Sequence, residues 1–309
     1  MNVMSEVIYV AEDNVGQRID VFLVNKLVDA SRANIQKNIV EGFILVNNKN
    51  VKANYKLRLG DVVEIRTQEV KEAKIEAEEI ALDILFEDKD IIVINKARGM
   101  VVHPAVGNYS GTLVNALLAH CKDLSGINGE IRPGIVHRLD KETTGAMVAA
   151  KNDKAHLSLA QQIKDKTAQR KYVAIVHGNI KEDFGIINGA IGRHKTDRKK
   201  MAVVKENGKE ATTNFTVLER FGEYTFVECK LLTGRTHQIR VHLTHIGHPI
   251  VGDNKYGVRK SPFKIDGQAL HSASLALTHP TTAENMFFEA PMPDDMLKIL
   301  EKLKILYKR

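Results

Sequence analysis

The stretch Gly134-Ile135-Val136-His137-Arg138-Leu139-Asp140-Lys141-Glu142-Thr143-Thr144-Gly145 runs directly into the apolar segment Ala146–Ala150. Gly134–His137 and Ala146–Ala150 are short apolar runs bounded by glycine and by charged residues, the pattern of strands. The charged segment between them is then a connecting loop, where catalytic groups concentrate. Asp140 stands in that loop with Arg138 two residues away, whose guanidinium can restrain a carboxylate. Asp140 also reads as an Asx-turn residue that bonds its own backbone, with Thr143 and Thr144 completing the turn. On residue chemistry both readings stay open.

Outward from this loop, β-like runs recur at Ile91–Ile94, Tyr172–His177, Ala211–Leu218 and Tyr224–Leu231. Helical stretches are fewer: Gly111–Cys121, Lys154–Lys164, His237–Ile246 and Pro293–Tyr307. Helices scattered irregularly among strands predict an α+β domain with a mixed, mostly antiparallel sheet, not a doubly wound one. Residues 16–65 read as a separate small module. Ile19, Phe22, Leu23 and Leu27 share one helical face, and Ser31 is placed to cap a second helix with Ile35 and Ile39 on its buried side. Gly42 would end that helix, and Phe43–Val46 and Val62–Ile65 read as strands. The Lys- and Glu-rich stretch after them reads as a linker. The expected division is a first domain at 1–66 with its core at 16–65, a linker at 67–82, and a second domain at 83–309.

The length of 309 residues suits two such domains, and 43% hydrophobic with 27% charged residues excludes a disordered or fibrous chain. Net charge is +7, but unevenly placed. Residues 1–90 sum to −5, whereas 131–260 hold 24 Lys and Arg against 13 Asp and Glu, a net of +11. Such a block is either a solvated surface or the footprint of a polyanionic partner. No run approaches the roughly 18 apolar residues of a membrane span, so no membrane partner is expected. The start, Met1–Glu6, has no basic leader, and Cys121 and Cys229 are isolated, so a cytoplasmic setting without disulfides or a Cys-built zinc site is expected. Neither a phosphate-binding loop, a dinucleotide fingerprint nor a nucleophile elbow is present, and an enzyme without a cofactor is expected.

Three further segments are dense in chemistry. In Lys230–Leu243 a strand ends near Leu232, Thr233-Gly234 turns, and a helix begins close to Arg235. A cation at a helix start opposes the macrodipole, so Arg235 is expected to have a carboxylate or phosphate partner. His237, His242, His245 and His248 lack the common face and acidic neighbours of a zinc site, and are expected to pack or bond the backbone, with no metal. In Arg170-Lys171-Tyr172, Tyr172 is either a half-buried strand residue or a stacking platform for a base. Arg193-His194-Lys195-Thr196-Asp197-Arg198-Lys199-Lys200 suits phosphate contacts, or is a solvated loop.

Taken together these segments resemble the RluA/RluD family of pseudouridine synthases over nearly the whole chain. His137-Arg138-Leu139-Asp140 with Thr143-Thr144-Gly145 matches the family's active-site motif, Arg170-Lys171-Tyr172 its second, and Leu232–Arg240 its third. His248-Pro249-Ile250-Val251-Gly252-Asp253 and Gln268-Ala269-Leu270-His271 also match. Residues 16–65 look like the αL RNA-binding module, by Gly16–Asp20, Ser31–Gln36 and Leu59-Gly60-Asp61. The nearest branch is RluD-like. Ala97 departs from the family's usual proline after Asn95-Lys96, and Thr144 stands where many members have serine.

The resemblance implies isomerisation of uridine to pseudouridine in RNA, in large-subunit ribosomal RNA or its precursor at the helix 69 stem-loop, by a monomer. Asp140 is implied as the catalytic carboxylate, Arg235 as the cation that pairs with it, and Tyr172 as the residue that stacks on the uracil and assists late proton removal. The target base must be flipped out of its stack. Arg138 would fill the gap or contact the displaced strand. Further RNA contacts are expected from His137, Arg193, Arg198, Lys199, Lys200 and Arg240, and from Arg32 and Lys37 in the first module. A hydrolytic glycosidase would need two carboxylates across the bond, and only Glu142 lies near Asp140. Attack on the anomeric carbon and abstraction of a ribose proton both fit one carboxylate. Alternatives are a synthase for tRNA or another ribosomal RNA site, and a non-catalytic RNA-binding assembly factor. Asp140, Tyr172 and Arg235 argue against the latter.

Overall fold

The structure is a computed structural model that describes residues 4–27, 32–67, 75–104, 108–122, 124–125, 133–197, 199–258 and 261–307. The chain divides into two compact units, residues 1–73 and 74–309. In the first, β1 (Met4–Tyr9), α1 (Ile19–Lys26), α2 (Arg32–Val40), β2 (Ile44–Val46), β3 (Lys49–Asn50) and β4 (Val62–Thr67) form an antiparallel sheet of order β1-β4-β2-β3 with two helices. Ile19, Phe22 and Leu23 from α1 and Ile35 and Ile39 from α2 pack with Ile44, Val46, Val63 and Ile65, so the two apolar stripes bury each other against the sheet. Gly42, at φ 80°, closes α2: its N–H bonds the Ile39 carbonyl while Phe43 bonds that of Asn38. Ser31, the expected cap, lies outside the described residues, as do 68–74 of the expected linker. Strand β1 precedes the expected core. It pairs along β4 with Val7 and Tyr9 exposed and only Ile8 between them packed on the core, so its apolar residues mark no continuous buried face.

The second unit contains β5 (Ile84–Glu87), β6 (Ile91–Lys96), α3 (Leu113–His120), β7 (Thr144–Ala150), α4 (Asp153–Asp165), β8 (Gln169–His177), β9 (Phe184–Asn188), β10 (Ile191–Arg193), β11 (Met201–Val203), β12 (Thr212–Phe221), β13 (Tyr224–Leu231), α5 (Gln238–His245), β14 (Leu270–Thr278), β15 (Asn285–Glu289) and α6 (Asp294–Leu306). Nine strands make one sheet of order β5-β6-β7-β14-β8-β13-β12-β9, with β15 on β14. Only β7 and β14 run parallel, so the sheet is mixed and mostly antiparallel. Where β7 meets β14, Gly145 stands at φ 111°, and a Cβ there would collide with the Ser272 backbone.

The apolar runs β6 and β7 are buried on both faces because helices cover both. Ile92, Ile94, Met147 and Ala149 pack with Leu113, Val114 and Leu117 of α3, while Ile91, Val93, Ala146 and Val148 pack with Ala155 and Leu159 of α4. Two expectations are corrected. Gly134–His137 forms no strand, only a bridge from Ile135 to Ala149. Further along, the Val148 N–H is taken by the His137 ring at Nε2, 3.1 Å away, so a side chain occupies the position a strand carbonyl would fill. Residues 75–82, read as linker, are tied to the second unit instead. Ile75 and Leu82 pack on its core, and Asn115 of α3 donates to the Glu76 carbonyl at 2.8 Å. Among the described residues no helix is long and apolar enough to cross a membrane.

Candidate active site

Three segments build one cleft: the loop before β7, the turn between β13 and α5, and the stretch from the end of α4 into β8. The first carries Asp140. Its turn is closed by backbone, Thr143 N–H to the Asp140 carbonyl at 3.1 Å, so the carboxylate is not spent on an Asx-turn. Thr143 and Thr144 instead fasten the loop to residues leading into β14. Gln268 donates to the Thr143 hydroxyl at 2.9 Å, and the Thr144 hydroxyl meets His271 Nδ1 at 2.8 Å. Below the loop, the ammonium of Lys96, itself 1% exposed, reaches the carbonyls of Ala97, Met100 and Lys141 at 2.8, 2.9 and 3.1 Å. Burial pulls Lys96 down to about 7, against the neighbouring charges of Glu142 and Asp140. Sequence reasoning passed over Lys96, although a lysine closing an apolar strand is rarely buried without partners.

The second segment and α5 carry the cations, and here the pairing expected from the sequence is corrected. Arg240 Nη1 donates to Asp140 Oδ2 at 2.9 Å, whereas Arg235 Nε donates to the Glu210 carbonyl at 2.9 Å. Arg240 thus stands where Arg235 was expected. The same guanidinium forks onto Asp253, Nε to Oδ2 at 2.7 Å and Nη2 to Oδ1 at 2.9 Å, and its side chain is 7% exposed. Burial opposes the charge of Arg240, but the bonds from Asp253 and Asp140 more than offset it and the pKa rises. For Asp253 too, burial raises the pKa and the Arg240 bonds bring it down below the usual range. Asp253 is held in turn by the N–H groups of Lys255 and Tyr256 at 2.9 and 3.0 Å, and the Tyr256 ring lies 5.0 Å from the Arg240 guanidinium. The sequence held a signal for this. Arg240 is embedded in the apolar run Ile239–Leu243, where a charge must be paired, while Arg235 sits on an exposed turn.

Gln238 fixes the turn between these groups. Its amide donates to the Thr212 carbonyl and the Thr213 hydroxyl, both at 3.0 Å, and its Oε1 accepts from Arg235 N–H at 2.9 Å. Tyr172, on β8, is 4% exposed and lines the cleft beside Asp140. The cleft is a cavity of about 420 Å³ whose wall includes Arg138, Lys164, Lys166, Arg170, Tyr172 and Arg235. Of these cations, Arg138, Lys164, Lys166 and Arg170 form no ion pair among the described residues, whereas Lys151, Lys171, Arg220 and Lys304 elsewhere in the unit do. Lys164 and Lys166, at the end of α4, were not singled out by any motif.

The remaining site candidates are dispersed. His137 is buried, its pKa lowered to about 3 by burial and the Arg170 charge; it lines the cleft while its ring is bonded to the Val148 N–H of β7. Arg193 and Lys199 are exposed and Lys200 half-buried on the β10–β11 hairpin, beside a second cavity of about 850 Å³. Arg198 lies outside the described residues. In the first unit Arg32 is tied to Asp20 at 3.0 Å and Lys37 stands 3.7 Å from Glu41, both largely exposed.

Two of the histidines in and after α5 are committed to the protein, His242 to Thr213 and the Gly189 carbonyl at 2.9 and 3.0 Å and His248 to the His177 carbonyl at 2.9 Å, while His245 is exposed. Two other groups bring donor atoms together, Glu87 with His120 and Cys121, and Asp88 with Asp90 and His279. In the first, Glu87 is already bonded by Lys151 and His120 at 2.8 and 2.7 Å. In the second, His279 Nδ1 accepts from the Thr281 and Thr282 N–H groups at 3.2 and 3.0 Å. Its Nε2 therefore carries hydrogen and faces Asp88 at 2.8 Å, with no lone pair for a metal.

Comparison with known proteins bears on this cleft. Residues 90–245 match the RNA pseudouridylate synthase family and residues 17–63 the S4 domain. The chain is 52% identical over 294 residues to the uncharacterized RNA pseudouridine synthase YlyB of Bacillus subtilis, covering 95% of this chain and 96% of that one. It is 44% identical over 301 residues to the ribosomal large subunit pseudouridine synthase D of Neisseria meningitidis serogroup A, covering 94% and 79%. Among solved structures it is similar to human RNA pseudouridylate synthase domain containing 1, at 27% identity and a TM-score of 0.56, over 74% of this chain and 96% of that one.

Proposed function

The chain belongs to the RNA pseudouridylate synthase family and carries an S4 domain, and from that premise we propose that it isomerises uridine in large-subunit ribosomal RNA, in the helix 69 stem-loop, in the cytoplasm. That it is an RNA pseudouridine synthase follows from the family; the substrate and the roles below are our reading.

One observation carries the roles: a carboxylate held through a single oxygen at a cleft walled by unpaired cations. Asp140 Oδ2 is taken by Arg240, and Oδ1 has no donor among the described residues. Oδ1 is the reactive oxygen. Arg240, locked by Asp253, aims it, and both routes to the new bond, attack on the anomeric carbon and removal of a ribose proton, start from it. Tyr172 supplies the flat wall for the uracil ring after the bond from the uracil nitrogen to the ribose breaks and the base turns to present carbon five. Lys164, Lys166, Arg170 and Arg138 follow the phosphates on either side of the flipped nucleotide, and the β10–β11 hairpin and the S4 domain add grip that fixes register more than base identity. Cells lacking the protein should lose pseudouridines in helix 69. Asp140→Asn should fail to restore them while wild type succeeds. Helix 69 modified normally in those cells would place the target elsewhere, in tRNA or another ribosomal site.

A further inference from the structure

His237 stands beside the open oxygen of Asp140 and takes no part in the pairing with Arg240. Its Nε2 lies 4.0 Å from Asp140 Oδ1, too far for a hydrogen bond and close enough for both to reach one bound molecule. The backbone is turned for this purpose. His237 precedes α5 at φ 56°, ψ 22°, left-handed for a residue with a Cβ, and its side chain caps no helix N–H. Such a conformation costs about 1 kcal/mol and persists where surroundings enforce it.

Tyr256 fixes the ring at this position. The Met201 N–H of β11 donates to Tyr256 Oη at 2.8 Å, which directs the phenol hydrogen onward to His237 Nδ1, also at 2.8 Å. With Nδ1 accepting, the ring hydrogen sits on Nε2, facing the cleft. The Tyr256 ring packs edge-on to the imidazole at 5.6 Å and beneath the Arg240 guanidinium, so one side chain orients both groups that flank Asp140. The charges facing His237 are Asp140, Arg240, Lys255 and Asp253; burial, opposed by Asp140, pushes the imidazole down to about 4, so it is neutral at physiological pH. His237 also lines the small cavity of about 60 Å³ shared by Asp140, Tyr172 and Arg240.

We propose that His237 is a substrate-contacting residue that donates its Nε2–H to an acceptor oxygen of the nucleotide held at Asp140, and that Tyr256 is the positioning residue that sets this donor and ties it to the basic hairpin. The acceptor is the ribose 2′-oxygen or the uracil 2-carbonyl oxygen, each attached close to the anomeric carbon that Oδ1 addresses. The inference rests on the proposed role of Asp140 but not on which RNA is modified.

The tautomer is tested first, on the wild-type protein, by long-range nitrogen–proton NMR of the His237 ring: a neutral ring with hydrogen on Nε2 is expected, and hydrogen on Nδ1 or an imidazolium near pH 7 overturns the proposal. Tyr256→Phe should mix the two tautomers, and an unchanged spectrum overturns the role of Tyr256. Turnover is then read on total RNA from cells lacking the protein. His237→Phe should lower kcat about tenfold with KM within about twofold, the size of one lost hydrogen bond in the transition state, and His237→Gln, whose amide N–H replaces Nε2–H, should recover part of it. Equal kcat in wild type and His237→Phe overturns the contact. Inactive wild type would strike the proposed function itself, while the NMR result still decides the His237 assignment. A synthetic stem-loop with 2′-deoxyuridine at the mapped target separates the acceptors: losses that do not add with His237→Phe identify the 2′-oxygen, and losses that add identify the carbonyl.

Discussion

Asp20 in the first unit and Asp140 in the second are both carboxylates gripped by arginine, and their surroundings leave them in opposite conditions. Asp20 is closed on every side. Arg18 forks onto both oxygens at 2.9 Å, and Oδ2 also accepts from Arg32 at 3.1 Å and Gln36 at 2.6 Å, with none of the side chain exposed. Burial alone would raise its pKa, and the bonds from Arg18, Gln36 and Arg32 overturn that and hold it far below the usual range. Asp140 keeps 17% of its side chain exposed and one oxygen without a donor. A saturated carboxylate fastens two helices together; a half-saturated one is left able to react. What separates structure from chemistry here is which lone pairs remain, not the residue type.

The comparison breaks most directly at Asp140 itself. Asp140→Asn should lower pseudouridine formation by about a thousandfold or more while RNA binding and the melting temperature hold, as measured by tritium release from labelled uridine and by calorimetry. Turnover persisting in that variant would sink the assignment. The next effect is at Arg240. Arg240→Met leaves Asp253 buried and unpaired, so it should destabilise the second unit by about 3–5 kcal/mol as well as remove activity, whereas Arg235→Ala should act mainly through KM. Equal kcat losses at the two arginines would contradict the pairing. Asp20→Asn should weaken the first unit by about 2 kcal/mol through bonds lost to charged donors, with kcat on bound RNA little altered.

Acid should separate the two units as well. A histidine whose folded pKa is depressed contributes stability that is complete above its unfolded value and lost as pH falls towards the folded one. His137, at about 3, and His237, at about 4, therefore weaken the second unit from about pH 6.5 downward. Asp20 contributes above its ordinary value of 3.8 and yields only at lower pH. Amide exchange followed through an acid titration should show the second unit loosening first; the reverse order would refute this reading. The smallest effect is at the cleft wall. Lys164→Gln with Lys166→Gln should raise Kd and flatten the dependence of log Kd on log salt by roughly 1.4, two phosphate contacts at single-strand strength.

Much of the architecture was legible because burial leaves a mark on sequence. The runs at Ile91–Ile94 and Ala146–Ala150 are apolar without alternation because helices α3 and α4 cover both faces of the sheet, and the stripes on α1 and α2 keep helical period because each covers one. The run Gly134–His137 looked the same and is not a strand, because its role is to seat the His137 ring against β7, which hydropathy does not encode. In the site, Asp140 and Tyr172 were legible from motif and loop placement. Arg240 was legible only as an RNA contact, Asp253 only as the end of a motif without a role, and Tyr256 not at all.

By itself the sequence determined that this chain has a small helical and stranded module followed by a larger α+β body, that its cations gather in the block around Asp140, and that its motifs are those of a pseudouridine synthase. Such properties are carried by composition, period and order along the chain. Tertiary structure alone decided which arginine meets Asp140, which of its oxygens stays open, and that Tyr256 orients His237 and Arg240 together. Arg240 is 100 residues from Asp140, and its apolar setting in the sequence says that the charge must be paired but not with which carboxylate. Only the packing of α5 against the Asp253 loop, which buries one guanidinium and leaves the other on a turn, makes that choice.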